Sequence, residues 1–170
     1  MTRAIAHLNT LSSNEVESEL LKCCGSSEWA RRMARERPFD SVAALIARAE
    51  NIWFSLAPHD WLEAFRSHPK IGSKKAAHRI SAEAQKWSEQ EQSGANNAGK
   101  ETMQALAELN QQYEEKFGYI FIVCATGKSS EEMVSTLRER LENHPDKELR
   151  IAATEQAKIT ELRLNKLLKQ

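Results

Sequence analysis

Most of the chain has the spacing of amphipathic helices, in which apolar side chains recur three and four positions apart. Capping boxes are predicted at Ser12 with Glu15 and at Ser129 with Glu132, each just ahead of an apolar run. Only six glycines and four prolines interrupt the 170 residues, so few positions break a helix. The pattern therefore predicts an all-α fold, a single compact domain over residues 1–170 with about eight or nine helices.

Helix boundaries are also predicted in the middle of the chain. Asp40 is predicted as the N-cap of a long helix, and Asp60 as the N-cap of the short helix that leads to His68. A strong helix is predicted over residues 101–117, and its apolar face includes Asn110. Because buried polar groups are almost always hydrogen-bonded, we expect this amide to be buried with a partner.

One extended apolar segment, residues 119–125, departs from the helical pattern. Its sequence, Tyr-Ile-Phe-Ile-Val-Cys-Ala, is typical of a buried strand. The rest of the chain offers no convincing partner strand, so the backbone N–H and C=O groups need side chains, water or a ligand as partners. The segment is therefore a candidate wall of a polar-ligand pocket. A buried connector, or a helix start that pairs internally, is the alternative.

The charge balance and the cysteines narrow the class of protein. The chain has 24 basic and 24 acidic residues, which argues against a nucleic-acid or membrane-surface partner. We find neither an apolar run of membrane-spanning length nor the apolar core of a signal peptide, so we expect a cytoplasmic protein. Cys23, Cys24 and Cys124 lack the Cys-x-x-Cys spacing and fit a reducing compartment.

His68 is the candidate catalytic residue and begins the sequence His-Pro-Lys-Ile-Gly. Histidine can gain or lose a proton near neutral pH. Pro69 disfavours the helical conformation of the residue before it, so we expect His68 on a preset, extended backbone at a helix exit. A His-Pro pair can also be a mere loop end, and this is our interpretation of the second pair, at His144.

Two further groups of polar residues are candidates for binding a ligand. Ser88, Glu91 and Gln92 share one helix face beside apolar residues, where they could bind a small polar molecule; a solvated face is the alternative. Arg163 borders the apolar row of the last helix. It could bind an anionic substrate or pair structurally with Glu155.

A metal site is the weakest of the chemical candidates. His59 and Glu63 are four positions apart, and His68 follows. The chain has no His-Glu-x-x-His or Cys-x-x-Cys spacing, so no metal ligands are predicted.

Short motifs in a fixed order along nearly the whole chain suggest a family. They are Cys24-Gly25-Ser26 with Trp29-Ala30, Arg37-Pro38-Phe39, His68-Pro69-Lys70-Ile71-Gly72, Trp87-Ser88 with Glu91-Gln92 and Gly94, Leu109-Asn110 with Tyr113-Glu114 and Lys116-Phe117-Gly118, Phe121-Ile122-Val123-Cys124-Ala125, and Glu155-Gln156 with Lys158-Ile159 and Leu162-Arg163-Leu164. Each motif alone is weak, but their number and order are specific. Together they resemble the 2-oxo-4-hydroxy-4-carboxy-5-ureidoimidazoline (OHCU) decarboxylase family of uric acid degradation.

The resemblance implies an all-helical, cofactor-free and usually dimeric enzyme that converts OHCU to (S)-allantoin and carbon dioxide. It implies that His68 is the catalytic histidine. The positions that it places around the ligand are Pro69, Ser88, Glu91, Gln92, Ile122, Val123, Cys124, Ala125 and Arg163. Lys74, Lys75 and His78 lie in a loop of variable length and receive no implied role.

The implied chemistry needs no cofactor, because the unsaturated ring of the substrate can accept the electrons left by carbon dioxide. His68 is expected to protonate or hydrogen-bond the developing anion, and Glu91, if close, would keep that histidine charged. A rival from another class is a non-enzymatic helical interaction module associated with purine-degradation enzymes, with an exposed apolar face and no polar pocket near His68. A rival enzyme is a metal-assisted ring hydrolase that uses His59, Glu63 and His68.

Overall fold

Helices dominate the computed structural model, which describes residues 2–72, 81–95 and 99–169. The described residues contain nine α-helices and a short 3₁₀ turn, and no strand is assigned among them, so the all-helical prediction is confirmed. The helices are α1 (Arg3–Thr10), α2 (Ser13–Cys23), α3 (Ser27–Arg35), α4 (Val42–Ser55), α5 (Pro58–Arg66), α6 (Ala82–Glu91), α7 (Lys100–Phe117), α8 (Ser130–Leu141) and α9 (Pro145–Leu167), and the 3₁₀ turn is Ser93–Ala95. No helix in the described ranges is long and apolar enough to cross a membrane.

The chain divides into two compact units. The first contains residues 1–64 and 157–170, and the second contains residues 65–156. Helices α5 and α9 each begin in one unit and end in the other. The organisation of residues 1–170 as one domain stays a prediction.

Both predicted capping boxes are present. The Ser12 hydroxyl accepts from the Glu15 N–H, and the Glu15 carboxylate accepts from the Ser12 N–H at 2.9 Å. Ser129 and Glu132 repeat this exchange at the start of α8, where the carboxylate accepts at 2.7 Å. These caps satisfy amides that a helix leaves unpaired in its first turn, which explains why both boundaries could be predicted locally.

Two other predicted N-caps are wrong. Ser41 rather than Asp40 caps α4, because its hydroxyl accepts from the N–H of the third helical residue. Helix α5 begins at Pro58, two residues before Asp60, since the fixed φ of proline suits the first helical position. The Asp60 carboxylate instead reaches back to the N–H of Ala57, at 3.2 Å.

The Arg37-Pro38-Phe39 motif connects α1 and α3 of the first unit through hydrogen bonds. The Arg37 guanidinium donates to the carbonyls of Leu11 (2.5 Å) and Ala34 (3.0 Å), at the ends of α1 and α3. Asn9 and the backbone of Phe39 exchange two hydrogen bonds of 2.9 Å. Helix ends leave carbonyls unpaired, and Arg37 satisfies two of them at once.

The core of the second unit forms where α7 and α8 pack together over the segment 119–125. Asn110 on α7 is buried and donates to the carbonyl of Ile71 at 3.2 Å, as predicted. This contact attaches the end of the His-Pro-Lys-Ile-Gly motif to α7. The buried side chains of the cluster are Ile71, Leu106, Tyr113, Phe121, Val123, Ala125, Met133, Val134 and Leu137.

The segment 119–125 is neither helix nor strand, so the strand interpretation is wrong, and the role of the segment as a wall of a ligand pocket stays a prediction. Side chains rather than a partner strand bond two of its backbone groups. The carbonyl of Ile122 accepts from the Arg140 guanidinium at 2.6 Å, and the N–H of Cys124 donates to the Glu155 carboxylate at 2.8 Å. A connector can lie in the core because these charged side chains replace the hydrogen bonds of a sheet.

Arg140 forms a buried ion pair with Glu148, whose exposed fraction is 0%. The Arg140 Nε and Nη2 atoms lie 2.7 and 2.5 Å from one Glu148 oxygen, and the Tyr113 hydroxyl donates to the same oxygen. Asn143 donates to the other carboxylate oxygen at 2.8 Å. Burial raises the pKa of Tyr113 well above its usual value, so the hydroxyl keeps its proton and remains a donor. A buried charge pair is tolerated only when hydrogen bonds complete it in this way.

We expect Glu148→Gln to destabilise the protein by about 3–5 kcal/mol, because it leaves the Arg140 charge buried without a counter-charge. Urea denaturation at neutral pH measures this loss. Glu114→Gln is the matched control, since Glu114 pairs with Lys70 at an exposed position and should cost less than about 1 kcal/mol. Equal effects of the two substitutions would contradict the role of the buried pair.

Candidate functional site

His68 lies two residues after the end of α5, in the loop position that the sequence predicts. Its backbone N–H donates to the carbonyl of Phe65 at 3.1 Å, which continues the last turn of the helix. Its side chain is half-buried, and the following Pro69 is buried. The imidazole is therefore held at a helix exit with partial access to solvent.

The His68 ring contacts Gln156 of α9, a residue that belongs to one of the short motifs but to which the sequence assigned no role. The His68 Nε2 and Gln156 Oε1 atoms are 2.7 Å apart, and the exposed fraction of Gln156 is 0%. The available signal was its place on an apolar helix face, three and four positions after Ala153 and Ala152, which are both buried. A buried amide on such a face needs a partner, but the sequence does not say which residue supplies it.

The end of α6 buries the polar residues predicted to bind a ligand. Ser88 is buried and Glu91 is only 8% exposed, so these two side chains do not belong to a solvated face. The Ser88 hydroxyl donates to the Ala84 carbonyl of its own helix at 3.0 Å. The Gln92 amide donates to the carbonyl of Pro69 at 3.3 Å and so joins the end of α6 to the His68 loop.

Gly94, in the 3₁₀ turn after α6, lies against the loop that follows the segment 119–125. A Cβ atom on Gly94 would be 2.2 Å from the carbonyl oxygen of Lys128. Only glycine fits at this distance, because the obstacle is backbone rather than a flexible side chain. The close approach brings the α6 end and the segment loop together.

Two backbone groups of the segment 122–125 are already hydrogen-bonded to side chains of the protein. Ile122, Val123 and Ala125 are buried, and Cys124 is half-buried. The Ile122 carbonyl and Cys124 N–H are bonded to Arg140 and Glu155, so these contacts order the segment before any ligand binds. Contact of residues 122–125 with a ligand stays a prediction.

Two of the three cysteines, Cys24 and Cys124, have raised thiol pKa values. Burial raises the pKa of Cys24 to about 12. Burial, and then the nearby Glu155 carboxylate, raise the pKa of Cys124, and Glu91 acts in the same direction. A thiol with a raised pKa is a poor nucleophile at neutral pH, so neither residue has the properties of a catalytic cysteine.

Arg163 lies in the first unit, apart in the chain from the other predicted site residues. It is buried, and its Nη1 atom lies 3.5 Å from the carbonyl of Lys22 in the last turn of α2. A guanidinium at a helix C-terminus satisfies unpaired carbonyls and opposes the negative end of the helix dipole. This contact shows a structural role for Arg163, and its role toward a ligand stays a prediction.

The second unit thus brings together the His68 loop, the end of α6 and the segment 122–125. Within the described residues, no group of three or more His, Cys, Asp or Glu side chains could hold a metal ion. Lys74, Lys75 and His78 lie outside the described residues. The arrangement combines one imidazole with a buried carboxylate, a hydroxyl and an amide, which suits a small polar ligand and proton transfer.

Comparison with known proteins gives consistent matches. A model of the family described as OHCU decarboxylase matches residues 9–165. The chain is 46% identical over 153 residues to the "Uric acid degradation bifunctional protein TTL" of Arabidopsis thaliana, covering 89% of this chain and 47% of that protein. It is 33% identical over 138 residues to the 2-oxo-4-hydroxy-4-carboxy-5-ureidoimidazoline decarboxylase of Mus musculus, covering 78% of this chain and 74% of that protein.

The fold also matches a solved structure, described as "Crystal structure of OHCU decarboxylase in the presence of (S)-allantoin". The TM-score is 0.78 and the sequence identity is 43%, with 90% of this chain and 99% of the other covered. The chain spans less than half, 31% to 47%, of the length of three bifunctional uric acid degradation proteins that it matches.

We expect Gly94→Ala to destabilise the protein by about 1–3 kcal/mol, because the new methyl group forces the backbone away from Lys128. Urea denaturation measures the change. Gly99→Ala is the control: an added Cβ there meets no atom within 4 Å, and we expect a change below about 1 kcal/mol. A Gly94→Ala variant as stable as the control would contradict the close approach.

Proposed function

This chain belongs to the OHCU decarboxylase family, and we propose that it catalyses the cofactor-independent decarboxylation of OHCU to (S)-allantoin and carbon dioxide in uric acid degradation. The family match over residues 9–165 supports the activity. The observation that carries the proposal is the joining of the His68 loop to α6, through Gln92 and Pro69, beside the buried Ser88 and Glu91. This junction supports the proposal because it joins Pro69 and Gln92 close to the buried Ser88 and Glu91 within the second unit.

The reaction requires the protein to orient the substrate, to stabilise the developing anion and to supply one proton. OHCU carries a carboxylate and a hydroxyl on one ring carbon. When the bond to the carboxylate breaks, carbon dioxide leaves and the electron pair delocalises into the unsaturated ring. A new C–H bond then forms on one face and gives a single enantiomer. Preorganised donors stabilise the developing anion, and a positioned acid supplies the proton.

We assign the proton to His68 and substrate binding to its neighbours. Glu91, a nearly buried carboxylate, acts with His68 as the second catalytic group and binds N–H groups of the ring or its ureido arm. Ser88, Gln92, Pro69 and the segment 122–125 complete the enclosure. Arg163 is included on the family resemblance alone, as a group that binds an anionic or carbonyl oxygen.

We further propose a cytoplasmic homodimer whose partner is the small ureidoimidazoline substrate, without nucleic acid or membrane. The family resemblance and the zero net charge support this assignment. A non-enzymatic interaction module fits less well, because such a protein has no need to bury Ser88 and Glu91 beside a histidine loop. Residues 1–170 form one OHCU decarboxylase-like domain in this proposal.

Circular dichroism tests the activity directly on freshly generated OHCU. Uncatalysed decay should give racemic allantoin, so we expect an optical signal of the (S) enantiomer only when the protein is present. Incubation with a chelator should leave the signal unchanged, whereas the metal-assisted hydrolase predicts its loss. Decay at the uncatalysed rate, with a racemic product, would refute the proposal.

We expect His68→Asn to lower kcat by about 10²–10⁴-fold while the protein stays folded, because the variant loses its acid. The second His-Pro pair offers a matched control. His144 is exposed, with 77% of its side chain accessible, and His144→Asn should leave kcat unchanged. Near-normal turnover by folded His68→Asn would remove this residue from the mechanism.

A further inference from the structure

We infer that Gln156 is a positioning residue that holds His68 in the tautomer protonated at Nε2. The inference rests on the proposed function only where it concerns turnover. Its geometric basis is the 2.7 Å contact between the His68 Nε2 and Gln156 Oε1 atoms. Because an amide oxygen only accepts hydrogen bonds, the contact requires a hydrogen on Nε2.

The position of Gln156 makes this constraint strong. Its amide is completely buried, and it belongs to α9, a regular helix whose backbone fixes where the side chain begins. Its neighbours Ala152 and Ala153 are buried too, so the amide lies in a packed environment. A rigid, desolvated acceptor selects one tautomer more effectively than a solvated side chain does.

The consequence for proton transfer follows from the two nitrogens of the ring. With Nε2 committed to Gln156, Nδ1 is the nitrogen that gains and loses the proton. In the charged ring, the Nδ1–H bond breaks as the new C–H bond of the product forms, and the electrons of that N–H bond stay on Nδ1. The neutral ring that remains is already the tautomer that Gln156 stabilises, so the step needs no rearrangement of His68.

The choice of an amide rather than a carboxylate also has a function. A carboxylate in contact with Nε2 would favour the charged imidazole and oppose donation of the proton. The neutral Gln156 orients the ring without adding this charge.

NMR tests the tautomer without any assay of turnover. The protein contains five histidines, so the His68 signals are assigned by their loss in His68→Asn. In a long-range ¹H–¹⁵N correlation spectrum of the unliganded protein, recorded where imidazole is neutral, we expect His68 to show a hydrogen on Nε2. A hydrogen on Nδ1 would overturn the inference.

Three substitutions separate positioning from simple packing. Gln156→Met keeps the approximate volume but removes the acceptor, and we expect mixed tautomers and a roughly ten-fold lower kcat with little change in KM. Gln156→Glu restores an acceptor and should restore the Nε2–H tautomer. Gln111→Met replaces an exposed glutamine and should change neither the His68 NMR signals nor kcat. A folded Gln156→Met variant that keeps the parent's tautomer and kcat would contradict the inference.

The outcomes distinguish this inference from the proposed function. A protein without decarboxylase activity whose His68 tautomer still depends on Gln156 would refute the function and keep the contact. An active protein whose tautomer ignores Gln156 would refute the positioning role and keep the function. If Gln156→Met fails to fold, the spectrum of the unsubstituted protein still decides between Nε2 and Nδ1.

Discussion

The buried pair of Arg140 and Glu148 is the interaction on which the second unit depends. A connector without secondary structure runs through the core of this unit, and its backbone groups need partners there. The Arg140 guanidinium donates a hydrogen bond to the carbonyl of Ile122. The Glu148 carboxylate balances the buried positive charge of Arg140. Tyr113 completes the hydrogen bonds, so α7, α8 and α9 all contribute to holding one irregular segment.

The junctions of the candidate site lie at the ends of elements, whereas Gln156 contacts His68 from the middle of α9. The His68 loop follows α5, Gln92 caps the end of α6, and Gly94 touches the loop beyond the segment 119–125. Each junction depends on one or two backbone contacts, such as the bond from Gln92 to Pro69. Positioned polar groups of this kind lower the reorganisation needed during proton transfer.

The sequence predicts local features well and long-range ones poorly. The two capping boxes and the burial of Asn110 follow from residues within one or two helical turns, and both predictions are confirmed. The contact between His68 and Gln156 joins residues 88 positions apart, and no spacing rule reaches that far. The strand interpretation of residues 119–125 failed for the same reason, since the partners that replace a sheet are side chains from distant helices.

The discontinuous first unit has a consequence for the order in which the protein can be completed during its synthesis. Its residues 1–64 are translated before the second unit, but its residues 157–170 are translated after it. The second unit is one uninterrupted stretch and is entirely translated before the first unit has all its residues. Buried residues of the early helices, such as Leu20 and Trp29, therefore stay without part of their unit until residues 157–170 have been translated, and apolar surface exposed in this interval is prone to aggregate.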